Sequence, residues 1–102
     1  MPEVQLIARY TIAPGNEDAV LDLLAPLVEA SRAEPGCLSY DAYRRFSDAR
    51  SVVLLERYAS REALEAHRAS PHFRTLVLEG IVPLLEERTV EEIEVRPSPT
   101  ST

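Results

Sequence analysis

Four segments of the chain alternate between apolar and polar residues, a period typical of β-strands whose two faces meet different environments. In the first segment, Leu6 and Ala8 face one way while Gln5 and Arg9 face the other. The third segment is almost continuously apolar and ends in Glu56, Arg57 and Tyr58. The pattern predicts strands at residues 4–12, 38–46, 51–58 and 87–95.

Two other stretches carry apolar residues at the spacing of one helix face. The first runs from about residue 17 to residue 33, after an asparagine that suits an N-cap. The second begins at Ser60. Because Ser70 and the proline after it resemble a new N-cap with proline at the first helical position, this helix is expected to break there and resume over residues 72–81.

The order of these elements, β-α-β-β-α-β, predicts an α+β fold of the ferredoxin-like type. In that arrangement one four-stranded antiparallel sheet carries both helices on one face. The third strand is apolar on both sides, with Val53 and Leu55 facing opposite to Val52 and Leu54. Such a sheet needs a cover over its open face. We therefore expect a homodimer in which the open sheet faces pack together about a two-fold axis.

Length and charge narrow the class of protein. The 102 residues suit one domain at 1–96, and the tail at 97–102, with two prolines and no apolar residue, is expected to be disordered. The net charge of −6 and the absence of lysine argue against nucleic acid and against an anionic membrane surface as partners. The single Cys37 cannot form an internal disulfide, and no signal peptide or bilayer-spanning stretch is evident, so a cytoplasmic location is expected.

Groups that can move protons are concentrated in the third strand and the helical region after it. Glu56 and Tyr58 are two positions apart on a predicted strand and therefore share a face. Both histidines of the chain, His67 and His72, follow shortly afterwards. This region thus supplies a carboxylate, a phenol and two imidazoles.

Four short motifs carry a family resemblance: AEPGCLSY at 33–40, LERY at 55–58, REALEAH at 61–67 and SPHF at 70–73. Together they resemble the antibiotic biosynthesis monooxygenase family, over almost the whole chain from about Val4 to Val95. The resemblance implies the dimeric α+β barrel fold. The family includes quinol monooxygenases, haem-degrading enzymes and an isomerase of a sugar-phosphate-like signal, so the resemblance implies a general chemistry without naming a substrate.

Haem-degrading relatives place an Asn on the first strand, a Trp at the end of the third strand and a haem-ligating His in the second helical segment. The corresponding positions here are Ala8, Tyr58 and Val77, none of which suits that role. Many monooxygenase relatives also carry Trp where this chain has Tyr58. The replacement keeps the aromatic body and adds a hydroxyl.

The resemblance implies oxygenation of a small aromatic, phenolic or quinol substrate by molecular oxygen, without flavin, haem, metal or another cofactor. A deprotonated, electron-rich substrate can itself reduce oxygen by one electron, and the radical pair can recombine at carbon. The protein must then offer a dry pocket, a base and hydrogen-bond donors. Two alternatives remain open: a non-catalytic small-ligand-binding or stress-related dimer, and an isomerase using the same pocket.

His67, Glu56 and Tyr58 are the candidate catalytic residues. An unperturbed imidazole titrates at about 6.5 and suits His67 as the base, although a helix His that packs at the sheet edge or contacts Glu65 or water is the alternative. Glu56 either orients His67 or substrate, or pairs with a nearby arginine. Tyr58 suits either the core or the pocket. The three are expected to converge on one enclosed apolar cavity per subunit.

Four further residues are candidates for substrate binding, namely Arg9, Tyr40, His72 and Phe73. Arg9 would bind an anionic oxygen of the substrate, or else form a surface salt bridge. Tyr40 and Phe73 suit either the core or a pocket wall. His72 lies at a helix start, where it is a catalytic group, a surface residue or a dimer contact.

No metal site is predicted, because no cluster of His, Cys and carboxylate residues has the spacing of a metal-ligand motif and two histidines are few for a catalytic zinc. The three glycines form no phosphate-binding loop. Neither a His nor a helix N-terminus can be placed beside Cys37 from the sequence. Cys37 is therefore expected to be a small buried residue rather than a nucleophile.

Overall fold

The chain folds into a four-stranded sheet with its helices on one face, in a computed structural model that describes residues 2–96. The elements are β1 (Glu3–Ile12), α1 (Glu17–Arg32), β2 (Cys37–Arg45), β3 (Asp48–Tyr58), α2 (Arg61–Arg68), a π-helix (Phe73–Ile81), a 3₁₀ turn (Val82–Leu84) and β4 (Leu85–Val95). The predicted β-α-β-β-α-β order and ferredoxin-like fold are confirmed. The predicted tail, 97–102, lies outside the described residues.

The strand order in the sheet is β2-β3-β1-β4, and each neighbouring pair is antiparallel. The two central strands, β1 and β3, are the most regularly buried, with every second side chain facing the helices. Leu6 pairs with Glu56 on one side and with Glu92 on the other. Glu56 therefore stands in the middle of the sheet on the face that the helices cover.

Two apolar clusters form the core between the sheet and the helices. The larger contains Ile12, Val20, Leu27 and Leu54 among other fully buried side chains. The smaller consists of Val4, Leu6, Tyr58 and Leu64. Glu56 and His67 are buried polar residues of the same interior. Since a buried polar group costs free energy unless it is hydrogen-bonded, both are expected to have partners within this interior.

Serine caps divide the second helical region as the sequence predicts. The Ser60 hydroxyl accepts a hydrogen bond from the backbone N–H of Ala63 at 3.1 Å and starts α2. The Ser70 hydroxyl donates to the carbonyl of His67 at 2.6 Å and accepts from the N–H of Phe73 at 3.2 Å. The break at Ser70 is thus confirmed, and the chain continues through a helical turn into the π-helix.

The regular alternation predicted for residues 38–46 fails at the start of β2. The pairing with β3 shifts between Cys37 and Ser39, where Leu38 is the extra residue. Leu38 is consequently 51% exposed whereas Tyr40 is buried. Among residues 2–96, no helix combines the length and apolar character needed to cross a bilayer.

Candidate active site

A cavity of about 410 Å³ lies between the helix-side face of the sheet and the second helical region. Its apolar wall comes from Leu6, Ala8, Phe73, Leu78 and Val90. Its polar wall comes from Tyr10, Tyr40, Glu56, His67, Arg68 and Arg88. A cavity that combines an apolar wall with converging polar groups is typical of a small-molecule site.

His67 is held in one orientation inside this interior. Its side chain is 1% exposed, and Nδ1 lies 2.7 Å from Oε2 of Glu34. Its ring packs against Tyr40, Tyr58 and Phe73, with ring centroids 5.6, 5.2 and 5.3 Å away. A side chain fixed by packing and by one strong hydrogen bond keeps its reactive atom in place.

The contact with Glu34 determines which nitrogen of His67 carries the proton. A carboxylate only accepts hydrogen bonds, so neutral His67 must carry its hydrogen on Nδ1 and leave Nε2 as an acceptor. Burial lowers the pKa of His67 below its usual 6.5, and the opposing effect of Glu34 does not outweigh it. At neutral pH the group is therefore an uncharged base with its lone pair on Nε2.

Glu56 provides the second titratable group on the cavity wall. The hydroxyl of Tyr58 donates to Oε1 of Glu56 at 2.6 Å, and Nε2 of His67 lies 3.9 Å from the same oxygen. Burial raises the pKa of Glu56 to about 7, although the hydrogen bond from Tyr58 and the charges of Arg88 and Arg68 act in the opposite direction. The 3.9 Å gap is too long for a direct hydrogen bond.

Glu34 is one of the residues at this site that the sequence analysis did not single out. It lies after α1, 33 positions before His67, and its Oε2 also lies 2.5 Å from Nε2 of His72. Close packing brings this loop to α2: a Cβ added at Gly36 would lie 2.4 Å from the Cβ of Ala63. The only sequence signal for Glu34 was its place within the 33–40 motif, since no local spacing links it to the histidines.

The predicted site residues do not all lie at the cavity. Glu56, His67, Tyr40 and Phe73 line it, so that of the three residues expected to converge there only Glu56 and His67 reach its wall. Tyr58 lies behind Glu56 as its hydrogen-bond donor, and His72 contacts Glu34 outside the cavity lining.

Arg9 does not belong to this cavity. Strand alternation turns its side chain to the open face of the sheet, away from Ala8 and Tyr10, and it forms an ion pair with Glu91 on β4. The anion-binding role expected for Arg9 therefore has no support at this site. The guanidinium groups at the cavity are those of Arg68 and Arg88.

Cys37 is half-buried beside these groups. Burial, with the nearby charges of Glu34 and Glu56, raises the pKa of its thiol to about 11. The thiol therefore stays protonated at neutral pH, and its side chain is only half-buried rather than buried as the sequence predicts.

The sequence matches the family profile described as antibiotic biosynthesis monooxygenase over residues 4–77. The chain belongs to that family. It is 46% identical over 70 residues to the Mycobacterium tuberculosis protein named "Putative monooxygenase Rv0793", an alignment that covers 69% of this chain and 68% of the relative. The family match ends at Val77, so Arg88 lies beyond it.

Solved structures agree with this assignment. A crystal structure of an antibiotic biosynthesis monooxygenase matches with a TM-score of 0.85 and 36% identity, over 92% of this chain and 99% of that one. The structure of PA3566 from Pseudomonas aeruginosa matches with a TM-score of 0.87 and 32% identity, over 95% and 97% of the two chains. The family resemblance and the fold predicted from the sequence are thus confirmed.

Proposed function

We propose that this member of the antibiotic biosynthesis monooxygenase family oxidises a small phenol or quinol with molecular oxygen and without a cofactor. One observation carries the proposal: the free Nε2 of a buried His67 faces Glu56 on the wall of a cavity of about 410 Å³, with Nδ1 bonded to Glu34. The name of the mycobacterial relative supports a monooxygenase. The cavity volume suits a substrate of one to a few rings.

The first step is removal of the substrate's hydroxyl proton. Nε2 of His67 and Oε1 of Glu56 are 3.9 Å apart, so one hydroxyl oxygen placed about 2.7 Å from each would contact both. His67 takes the proton as general base, and Glu34 stabilises the imidazolium that forms. Protonated Glu56 can then donate a hydrogen bond to the new phenolate.

The remaining chemistry takes all its electrons from the substrate. The phenolate passes one electron to oxygen, and the resulting radical and superoxide join through a carbon–oxygen bond. Protonation of this peroxide and loss of water leave one oxygen atom on the ring. For a hydroquinone the balance is one hydroquinone and one O₂ giving one hydroxyquinone and one water, so no external reductant is needed.

Cations at the cavity stabilise the negative charge that develops. Arg68 and Arg88 both line it, and both favour the charged form of Glu56, as they would an oxyanion of the substrate. Tyr58 holds Glu56 in place, while Tyr40 and Phe73 form aromatic walls against which a flat ring can pack. Among the described residues Arg68 is paired with Glu92, whereas Arg88 forms no ion pair and lies beside the hydroxyl of Tyr10.

The open face of the sheet supports assembly into a homodimer. Ile7, Val53 and Leu55 form an apolar patch there, extended by Tyr43 at 54% and Ile93 at 43% exposure. A second copy of the same sheet would cover this patch in a two-fold, self-complementary interface. The helix-side cavity would then belong to each subunit separately.

Oxygen uptake tests the proposed activity. Protein freed of metal by a chelator and free of flavin is mixed with hydroquinones and polycyclic phenols, with autoxidation subtracted. His67→Ala is expected to lower enzyme-dependent uptake by at least ~10²-fold, the usual contribution of a general base. Glu65→Ala, an exposed position on the same helix, is the matched control.

Product analysis separates the alternatives. A product that gains one oxygen atom from ¹⁸O₂ and loses two hydrogens supports the monooxygenase. Turnover that persists without oxygen would instead identify an isomerase. Full uptake in His67→Ala would contradict the assigned base, and tight ligand binding without turnover across the panel would favour a binding protein.

A further inference from the structure

The carboxylate of Glu34 and the imidazoles of His67 and His72 lie together, and the proposed reaction uses only the contact between Glu34 and His67. We propose that Glu34, His67 and His72 bind a divalent transition-metal ion, and that metal bound there blocks His67 as a base. The metal site stands on geometry alone. The block on catalysis rests on the proposed function.

The three ligand groups already converge. Nδ1 of His67 and Nε2 of His72 lie 2.7 and 2.5 Å from the same Oε2 of Glu34, and the ligand atoms of all three lie within 4.8 Å of one another. Zinc–nitrogen and zinc–oxygen bonds of about 2.0–2.2 Å in a tetrahedral site place ligand atoms roughly 3.3 Å apart. Small side-chain shifts would therefore admit an ion in place of the shared protons.

The surroundings allow a metal to enter and suggest which metals fit. His67 is 1% exposed, but Glu34 is 15% and His72 22% exposed, so the cluster opens to solvent on the His72 side. A site with two imidazole nitrogens and one carboxylate oxygen suits zinc, cobalt, nickel or copper rather than magnesium or calcium. Three protein ligands leave a fourth position for water.

Metal binding would change which ring nitrogen of His67 carries the hydrogen, and so would change the atom that faces the cavity. A neutral imidazole bonded to metal through Nδ1 must carry its hydrogen on Nε2. Nε2 is the atom that lies 3.9 Å from Oε1 of Glu56 and that serves as the proton acceptor in the proposed reaction. An occupied site thus converts the acceptor into a donor, and metal is expected to inhibit turnover.

Cobalt provides a direct test of the site. Untagged, chelator-treated protein is titrated with Co²⁺, and the visible d–d absorption of a low-coordinate N/O site is followed. One Co²⁺ per subunit is expected, with competition by Zn²⁺. His72→Ala and Glu34→Gln should each weaken binding by more than about tenfold, since even loss of an outer-shell partner costs roughly 10- to 100-fold. Glu29→Gln, an exposed carboxylate on α1, is the charge-matched control.

Outcomes of this titration are decisive because they do not depend on activity. Equal Co²⁺ affinity in wild type and His72→Ala, with both variants shown to be folded by circular dichroism, would overturn the site. No d–d absorption at millimolar Co²⁺ would overturn it as well. Cys37→Ser should leave the spectrum unchanged, whereas a lost thiolate charge-transfer band would show that the ligand set is wrong.

Imidazole ¹⁵N NMR tests the block on His67 separately from turnover. Zn²⁺ is expected to move the His67 proton from Nδ1 to Nε2, and to reduce oxygen uptake with the same concentration dependence. Zn²⁺ binding at the cluster with the proton still on Nδ1 would contradict the block. A tautomer change in a protein that oxidises no phenol would keep the metal site and overturn only the proposed function.

Discussion

His67 and Glu56 approach each other without forming an ion pair, because the imidazole is uncharged near neutral pH and the carboxyl is protonated below about pH 7. Nε2 of His67 lies 3.9 Å from Oε1 of Glu56, while burial lowers the pKa of the imidazole below 6.5 and raises that of the carboxyl to about 7. The Glu56 carboxyl therefore binds a proton more tightly than the His67 imidazole does, which reverses the usual order of their pKa values. Such a pair can accept a proton on one side of a substrate and donate a hydrogen bond on the other.

Glu34 is expected to act as a positioning residue through its contact with Nδ1 of His67. Glu34→Gln should reduce oxygen uptake by about 10- to 100-fold, because His67 loses the charge that stabilises the imidazolium and keeps only a weaker, neutral acceptor for Nδ1–H. Glu34 raises the pKa of His67, so the variant should also lower that pKa further. Titration of the His67 ring by NMR measures this change.

The matched control for Glu34 is Glu29→Gln, which removes an exposed carboxylate from α1. An unchanged His67 pKa in Glu34→Gln would show that the contact is structural only. Reduced uptake together with an unchanged pKa would assign the loss to packing rather than to electrostatics.

Much of the fold was predictable because its signals are local. Strand alternation, the caps at Ser60 and Ser70 and the apolar stripe of α1 each depend on residues within one turn or one strand. The placement of Glu56 and Tyr58 on one face follows from the two-residue period of β3. The exposed Leu38 was missed because a β-bulge adds a residue without an apolar or polar signature.

The site was predictable only in part because its key contacts join distant segments. His67 and Glu56 were identified by residue type, but Glu34 lies 33 positions from His67 and had no spacing to reveal it. Arg88 was not recognised because it enters the cavity from β4, far along the chain from the helical motifs. For Arg9 the sequence left two roles open, and the structure shows the surface salt bridge, because residue type alone does not tell which face of the sheet closes a cavity.

Gly36 is expected to be required for the approach of the Glu34 loop to α2. A Cβ at this position would lie 2.4 Å from the Cβ of Ala63, which forces the loop or the helix to move. Gly36→Ala should therefore lower the free energy of unfolding by about 1–3 kcal/mol, the usual cost of overpacking, and should displace Glu34 from His67. Urea unfolding and the His67 NMR signal measure the two effects.

The double variant Gly36→Ala/Ala63→Gly tests whether the loss of stability comes from a clash between the two side chains. Removing the Ala63 methyl should recover part of the lost stability, even though glycine in a helix costs about 1 kcal/mol relative to alanine. Additive losses in the double variant would show that the two positions do not clash.

The open sheet face is expected to mediate dimerisation. Leu55→Glu places a charge in the apolar patch beside Ile7 and Val53, and it should shift the protein from dimer to monomer in sedimentation equilibrium. Leu78→Glu, an exposed position on the π-helix, is the control and should leave the mass unchanged. A wild-type protein that sediments as a monomer would contradict the proposed interface.

The buried carboxyl of Glu56 should make stability depend on pH. Its folded pKa of about 7 lies above the ordinary 4.5, so the folded state binds its proton more tightly than the unfolded state does. The stabilising contribution is fully present below about pH 4.5 and is lost as pH rises towards about 7, by a total of about 3 kcal/mol. His67 acts oppositely: its lowered pKa costs stability as pH falls below about 6.5.

The two effects overlap in the wild type, so a variant is needed to separate them. In Glu56→Gln the carboxyl contribution is absent and the His67 contribution remains. The stability of Glu56→Gln relative to wild type should therefore improve by about 2–3 kcal/mol between about pH 5 and pH 8, as measured by urea unfolding at each pH. Glu65→Gln, which changes an exposed carboxylate, should show no such trend. A constant difference between Glu56→Gln and wild type across this range would show that the Glu56 carboxyl titrates at its ordinary pKa and would remove the reversed proton affinity from the proposed mechanism.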